Sequence, residues 1–202
     1  MRIRRAKPEE VRYACKNFHY THAVPACKYS YSIFNGEGLW CGVVIYSSGA
    51  SPQLGKKYGL FQGEFLELVR VALNGKQEST SKAVALTLRK LRKDAPKVRL
   101  IISFADTEQG HAGTIYQATN WMYVGKMDGA PMFVVNGKRY HYKSCIGKGW
   151  KNSEKWLRDH VDPNAKEVRG GDKHKYLYFF DRKLKKEFTN LSQPYPKKTE
   201  DD

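Results

Sequence analysis

The sequence contains no C-x-x-C pair, and its four cysteines, Cys15, Cys27, Cys41 and Cys145, stand far apart. Such spacing argues against a disulfide framework and for free, semi-buried thiols. No apolar run approaches the ~20 residues of a membrane span. The basic start, MRIRRAKPEE, is not followed by an apolar stretch, so it does not read as a signal peptide. Together these absences predict a cytoplasmic protein with no membrane partner. No internal repeat is visible. Acidic residues are also short, 20 against 36 Lys and Arg, giving a formal charge of +16. An excess this large favours a polyphosphate partner. Solubility alone does not need it. The basic residues are scattered, so the folded surface itself should be basic.

What is present organises around Glu67–Gly125. Phe65–Leu73, which carries the apolar run Leu66–Leu73, and Val98–Phe104 read as strands. Between them a polar loop leads into a helix over Lys82–Lys93, with Val84, Leu88 and Leu91 on one face and Pro96 as a stop. A second loop, a short helix over Gly113–Ala118 and a strand from Trp121 to Gly125 complete the stretch. Before it, Arg2–Arg5 suits an edge strand, Pro8–Phe18 a helix with acids in its first turn, and Tyr29–Phe34 with Leu39–Tyr46 a hairpin. Ser47–Gly63 reads as a loop. Beyond it, the pattern predicts that Trp121–Gly125 pairs with Met132–Val135 through an Asp128-Gly129 turn. Arg139–Lys143 would extend that hairpin, Asn152–His160 would be helical with Ser153 as cap, and Tyr176–Phe180 would be a late strand. The last ~10 residues, Pro- and charge-rich, should fray.

Two features resemble the GNAT N-acyltransferase superfamily: the strand–loop–helix of Leu66–Lys93, and IYQATNWMYVG at Ile115–Gly125. A more specific set is similar to the phage Mom family of DNA-modification proteins. It comprises Phe18-His19-Tyr20, Leu68-Val69-Arg70-Val71, Ser103-Phe104-Ala105-Asp106, and Gly113 with Tyr116, Ala118, Asn120 and Trp121. The resemblance covers roughly residues 8–145. It implies a mixed α/β fold of GNAT type, a mostly antiparallel twisted sheet with flanking helices. Residues 1–145 would form the catalytic core, and residues 146–202 a basic C-terminal extension packed on the same domain. It also implies a phage- or prophage-encoded transferase, acting in the host cytoplasm on the N6 amine of adenine in double-stranded DNA. The product would be N6-carbamoylmethyladenine, which protects phage DNA from restriction.

The resemblance also distributes roles. Asp106, at a strand's C-terminal end, would accept from the amine; its plainer role is to cap the following turn. Tyr116 matches the GNAT tyrosine that acts as general acid on the leaving group, with core packing as the plainer role. His19 and Tyr20 would complete the site, His19 as base or metal ligand and Tyr20 as a stacking face. The spacing of His19 and His22 does not by itself make a metal site, and none is assigned. Arg70, a charge within an apolar strand, must be paired if buried: either it clamps a donor phosphate or carboxylate, or it pairs with Glu64 or Glu67. Ser79, Thr80 and Ser81 would bind donor phosphate or simply cap the helix. The loop Gln77–Lys82 lacks the glycine-spaced pattern of a coenzyme A loop. Transfer from acetyl-coenzyme A would give an amide, whereas carbamoylmethyl has nitrogen bonded to CH2. The donor therefore stays open between acetyl-coenzyme A and a glycyl-derived group. Lys56, Lys57, Tyr58, Arg139, Lys143 and Lys148 are expected on the DNA backbone. A flipped adenine would find aromatic faces among Phe18, Tyr20, Tyr58 and Trp121.

Overall fold

The computed structural model describes residues 1–197. In chain order it runs β1 (Arg2–Arg5), α1 (Pro8–Phe18), β2 (Tyr29–Phe34), β3 (Trp40–Ser47), α2 (Gln53–Lys56), β4 (Phe65–Leu73), α3 (Thr80–Asp94) and β5 (Leu100–Asp106). Then follow α4 (Thr114–Gln117), β6 (Met122–Met127), β7 (Pro131–Val135), β8 (Lys138–His141), α5 (Tyr142–Gly147), α6 (Glu154–His160), β9 (Lys166–Arg169), β10 (Lys173–Phe179) and α7 (Arg182–Glu187). Seven strands form one sheet in the order β1-β2-β3-β4-β5-β10-β6, and three form a second, β8-β7-β9. In the large sheet β4 and β5 pair in parallel, and the other neighbours are antiparallel.

The alternation of β3 sorts the helices onto two faces. Val43 and Ile45 pack with Val11, Ala14 and Cys15 of α1. Val44 and Tyr46 pack with Ala83, Val84, Leu88 and Leu91 of α3. Each helix is amphipathic and lays its apolar stripe on one side of the sheet. Ser79 caps α3 by accepting from the Lys82 N–H at 3.2 Å, and Pro8 with Glu9 and Glu10 starts α1, both as their sequences predict.

Several expectations are corrected. β6 and β7 do not pair. β6 lies against β10, with Tyr123 opposite Tyr176, while β7 sits between β8 and β9. Gly129 is pressed against Gly170 and Gly171, where the chain leaves the small sheet. That sheet and its helices have their own core of Phe133, Val135, Cys145, Leu157 and Ala165. They form an excursion between β6 and β10, so a division after residue 145 cuts through the small sheet. Of the tail expected to fray, Gln193 donates its N–H to Tyr123 O at 2.9 Å and the Tyr195 hydroxyl donates to Trp121 O at 2.6 Å. The remainder, residues 198–202, lies outside the described residues. Tyr58 is 2% exposed and packs edge-on to Phe188. Trp121 is fully buried against Tyr116 and Tyr178. Neither can stack on a base, because each anchors apolar core.

Candidate active site

β4 and β5 hydrogen-bond from Phe65 opposite Leu100 to Leu68 opposite Ser103, and then part. Both strands run on beyond the fork, held by their outer neighbours. Arg70 lies opposite Ile45 and Val71 opposite Val44; Phe104 lies opposite Lys175 and Asp106 opposite Lys173. A cavity of about 400 Å³ occupies the fork, lined by residues 67–71, 104–106 and 110–116 together with His19, Tyr20, Thr80 and Lys173.

The cavity opens the two faces of the sheet to one another. Strict alternation would put Glu67 and Arg70, three apart, on opposite faces. A bulge cancels this: Tyr46 faces Leu68 and Ile45 faces Arg70, which leaves Val69 as the extra residue. Arg70 therefore shares the α1 face with Ile45, and Glu67 shares it with Ser47. Ile102 is paired with Glu67, so Phe104 and Asp106, two and four residues on, lie on that face too. His19 and Tyr20, leaving the end of α1, close over it. Leu68, Val71 and Ser103 lie on the opposite face, with α3 and Tyr116.

On the α1 face the Tyr20 hydroxyl donates to Asp106 Oδ2 at 3.4 Å, and Asp106 Oδ1 accepts from the Glu108 N–H at 3.1 Å. Asp106 thus caps the following turn and faces the cavity at once. Tyr20 is 45% exposed and stacks on His19, ring centroids 4.3 Å apart, with His111 edge-on to it. Burial, with Arg70, His111 and His22 nearby, lowers the His19 pKa to about 4. Its Nδ1 accepts from the Thr21 N–H at 3.2 Å, so the neutral ring carries its proton on Nε2. That makes the free nitrogen a donor in this tautomer rather than the expected base. Glu67 accepts from the Ala50 N–H at 3.1 Å, and burial raises its carboxyl pKa.

Arg70 makes no ion pair among the described residues. Glu64 is taken by Arg99 at 3.7 Å, and Glu67 bonds to backbone. Arg70 Nη1 donates to Val69 O at 2.8 Å, and its Nε–H is buried without an acceptor. On the α3 face, Tyr116 is 7% exposed, and burial pushes its phenol up to about 12. Ser103 Oγ lies 2.8 Å from both the Leu68 carbonyl oxygen and the Tyr116 hydroxyl.

The structure thus brings Asp106, Tyr116, His19, Tyr20, Arg70 and Thr80 to one cavity, but it splits the set expected at the donor. Arg70 lies on the α1 face, whereas Thr80 starts α3 on the other. Ser79 and Ser81 bond to each other at 3.0 Å and do not line the cavity. Gln77 Nε2 closes on Thr80 Oγ1 at 3.0 Å. With Ser79 engaged in capping α3 and Gln77 closed on Thr80, the α3 start has no glycine loop to cradle a pyrophosphate and does not fit coenzyme A in that manner. Lys56, Lys57, Lys143 and Lys148 are exposed. Arg139 is exposed too but binds Glu108 at 3.0 Å, tying the small sheet to the turn after Asp106. Among the described residues no three His, Cys, Asp or Glu side chains converge on a metal site. No helix among them is long and apolar enough to cross a membrane. Sequence reasoning missed Glu67, Lys173 and His111 as cavity residues. The charge of Glu67 within an apolar run was the one available signal, and it also suited a partner for Arg70.

The architecture has solved counterparts. A single-substitution mutant of the spermidine N-acetyltransferase SpeG from Vibrio cholerae superposes with a TM-score of 0.52 at 8% identity, over 94% of this chain and 99% of its own. The protein smu.2055 from Streptococcus mutans UA159 does so with a TM-score of 0.50 at 11% identity, over 90% and 100%. At such identities the likeness is one of fold, that of the GNAT N-acyltransferases. The sequence narrows this further. The chain belongs to the Mom protein family, whose model matches residues 1–197. It is 28% identical over 174 residues to methylcarbamoylase mom of Escherichia phage Mu, across 82% of this chain and 70% of that protein.

Proposed function

We propose that the chain is a DNA-modifying transferase that acts on the N6 amine of adenine in double-stranded DNA and yields N6-carbamoylmethyladenine. Acting in a host cytoplasm, it would shield phage DNA from restriction. Membership of the Mom family and the similarity to methylcarbamoylase mom of phage Mu support this reading. The observation that carries it is the two-sided cavity at the β4–β5 fork, which offers an amine acceptor and a group donor separate approaches to one point.

The N6 lone pair is delocalised into the ring, so attack needs a base to remove a proton. Asp106 accepts from one N6–H and orients the amine. Glu67, its pKa raised by burial, is suited to take the proton lost. As the bond from N6 to the donor's electrophilic carbon forms, the bond from that carbon to its leaving group breaks. Tyr116, protonated at neutral pH, delivers its proton to that group from the α3 face. The product places CH2 on the nitrogen, so the carbon attacked is a methylene that carries the leaving group beside a carboxamide; attack on the carbonyl of an acetyl or a glycyl donor would give an amide instead. The exposed Lys56, Lys57, Lys143 and Lys148 would hold phosphates while the base is flipped into the cavity beside Tyr20.

Mass spectrometry of nucleosides from cells expressing the chain tests this. Modified adenosine is expected with the wild type. It should fall by about a hundredfold or more with Asp106→Asn and with Tyr116→Phe, the range typical of lost acid–base groups. Unmodified adenosine throughout, with folded protein present, sinks the reading. Acetyl-coenzyme A turnover without DNA would point instead to a conventional N-acetyltransferase.

A further inference from the structure

Arg70 and Asp106 are a cation and an anion on the same face of one cavity, yet they are not within ion-pair distance of each other. Both act on Tyr20: Asp106 raises its phenol pKa, Arg70 lowers it, and burial raises it most. Both groups line the cavity with Tyr20, whose hydroxyl reaches Asp106, and no ion pair closes Arg70 onto Asp106. A guanidinium that has one backbone acceptor, an orphaned Nε–H and no carboxylate lacks partners that a ligand can supply. A carboxylate accepts only; a guanidinium donates only.

Resting on the reading of adenine as the target, we propose that Arg70 and Asp106 together read the base. Asp106 accepts from N6–H, and Arg70 donates to the ring nitrogen beside it, N1 or N7. Adenine presents this donor–acceptor order on both its Watson–Crick and its Hoogsteen edge. Guanine presents O6, an acceptor, where adenine has the N6 amine. On either edge guanine would set its oxygen against the Asp106 carboxylate, and that unpaired, repulsive contact rejects it. Arg70 is thereby a specificity residue of the acceptor face. It does not clamp the donor, whose side of the fork is that of Thr80 and Tyr116.

The test needs no group donor. The full chain is titrated with duplexes carrying one unpaired test base opposite an abasic site, so that flipping costs little. Test bases are adenine, 7-deazaadenine, 1-deazaadenine and guanine, and fluorescence anisotropy gives the Kd of each. The wild type should bind adenine at least tenfold more tightly than guanine, and should lose about tenfold with one of the two deaza bases, which also identifies the edge read. With Arg70→Met that deaza penalty should vanish; with Asp106→Asn the rejection of guanine should vanish. Circular dichroism and the salt dependence of duplex binding verify that each variant is folded and still holds DNA. Equal wild-type affinity for adenine and both deaza bases overturns the proposal, as does a penalty that survives in Arg70→Met. Discrimination at the test base without modified nucleosides in cells would instead fault the chemistry and leave the base readout standing.

Discussion

At the scale of single residues, burial decides more than identity. His19, Tyr20 and Asp106 stand out in the sequence because polar groups follow a helix end or close a buried strand, Tyr116 because it matches the GNAT tyrosine, and all four reach the cavity. Tyr58 stands out equally, in a lysine-rich loop, yet it is core. A loop tyrosine carries no local mark of what will cover it. The His19 environment has a consequence for pH. Its imidazole falls from an ordinary value near 6.5 to about 4 in the folded chain. Between those values the unfolded chain binds the proton and the folded chain does not, so stability rises with pH across this window and is lost as pH falls through it. Thermal unfolding of the wild type should show a larger drop in Tm between pH 7 and pH 5 than His19→Asn does. An identical drop in both would show that the ring does not resist protonation.

At the scale of elements, the long amphipathic pieces were legible and the short ones depended on contacts. The expected strand Phe65–Leu73 is β4 residue for residue, and Pro8–Phe18 is α1. The bulge at Val69 was not legible, because it appears only as a register shift against β3. It nevertheless turns Arg70 onto the face of Asp106. The short helix α4, which carries Tyr116, starts at Gly113 with φ +75°, and a Cβ there would meet the Tyr176 ring at 2.4 Å. Gly59 has φ +65° with open space around it. Both alanine variants incur left-handed strain of about 1–2 kcal/mol, and Gly113→Ala adds an overpacking cost of about 1–3 kcal/mol. Urea unfolding should therefore rank Gly113→Ala well below Gly59→Ala. Equal midpoints would mean that Tyr176 yields without cost.

At the scale of the whole molecule, the dominant features are the basic charge and the excursion that carries part of it. The charge of +16 was read directly from composition. Lys143 and Lys148 are exposed on the small-sheet unit, which Arg139 holds against the turn after Asp106 through Glu108. Phosphate contacts release counterions, so the logarithm of the DNA association constant should fall linearly with the logarithm of salt concentration. Removing one such contact reduces the slope by about 0.9. Lys143→Ala and Lys148→Ala should each do so, while Lys175→Ala should not, since Lys175 is 8% exposed between Tyr58 and Phe104. Slopes unchanged in both surface variants would remove the small-sheet unit from the DNA surface.

By itself the sequence determined the basic charge, the amphipathic helices, the central strands and the family resemblance. These rest on composition and on periodicities of two and 3.6 residues, which neighbouring side chains set among themselves. Only the tertiary structure decided that β10 lies between β5 and β6, that β7 leaves for a second sheet, and that β4 and β5 part after Leu68 and Ser103. Strand pairing is chosen by partners distant in the chain, through hydrogen bonds and packing that no local pattern encodes. The cavity opens to both faces because two strands stop pairing, and Arg70 shares the face of Asp106 because one extra residue at Val69 shifts the register of β4.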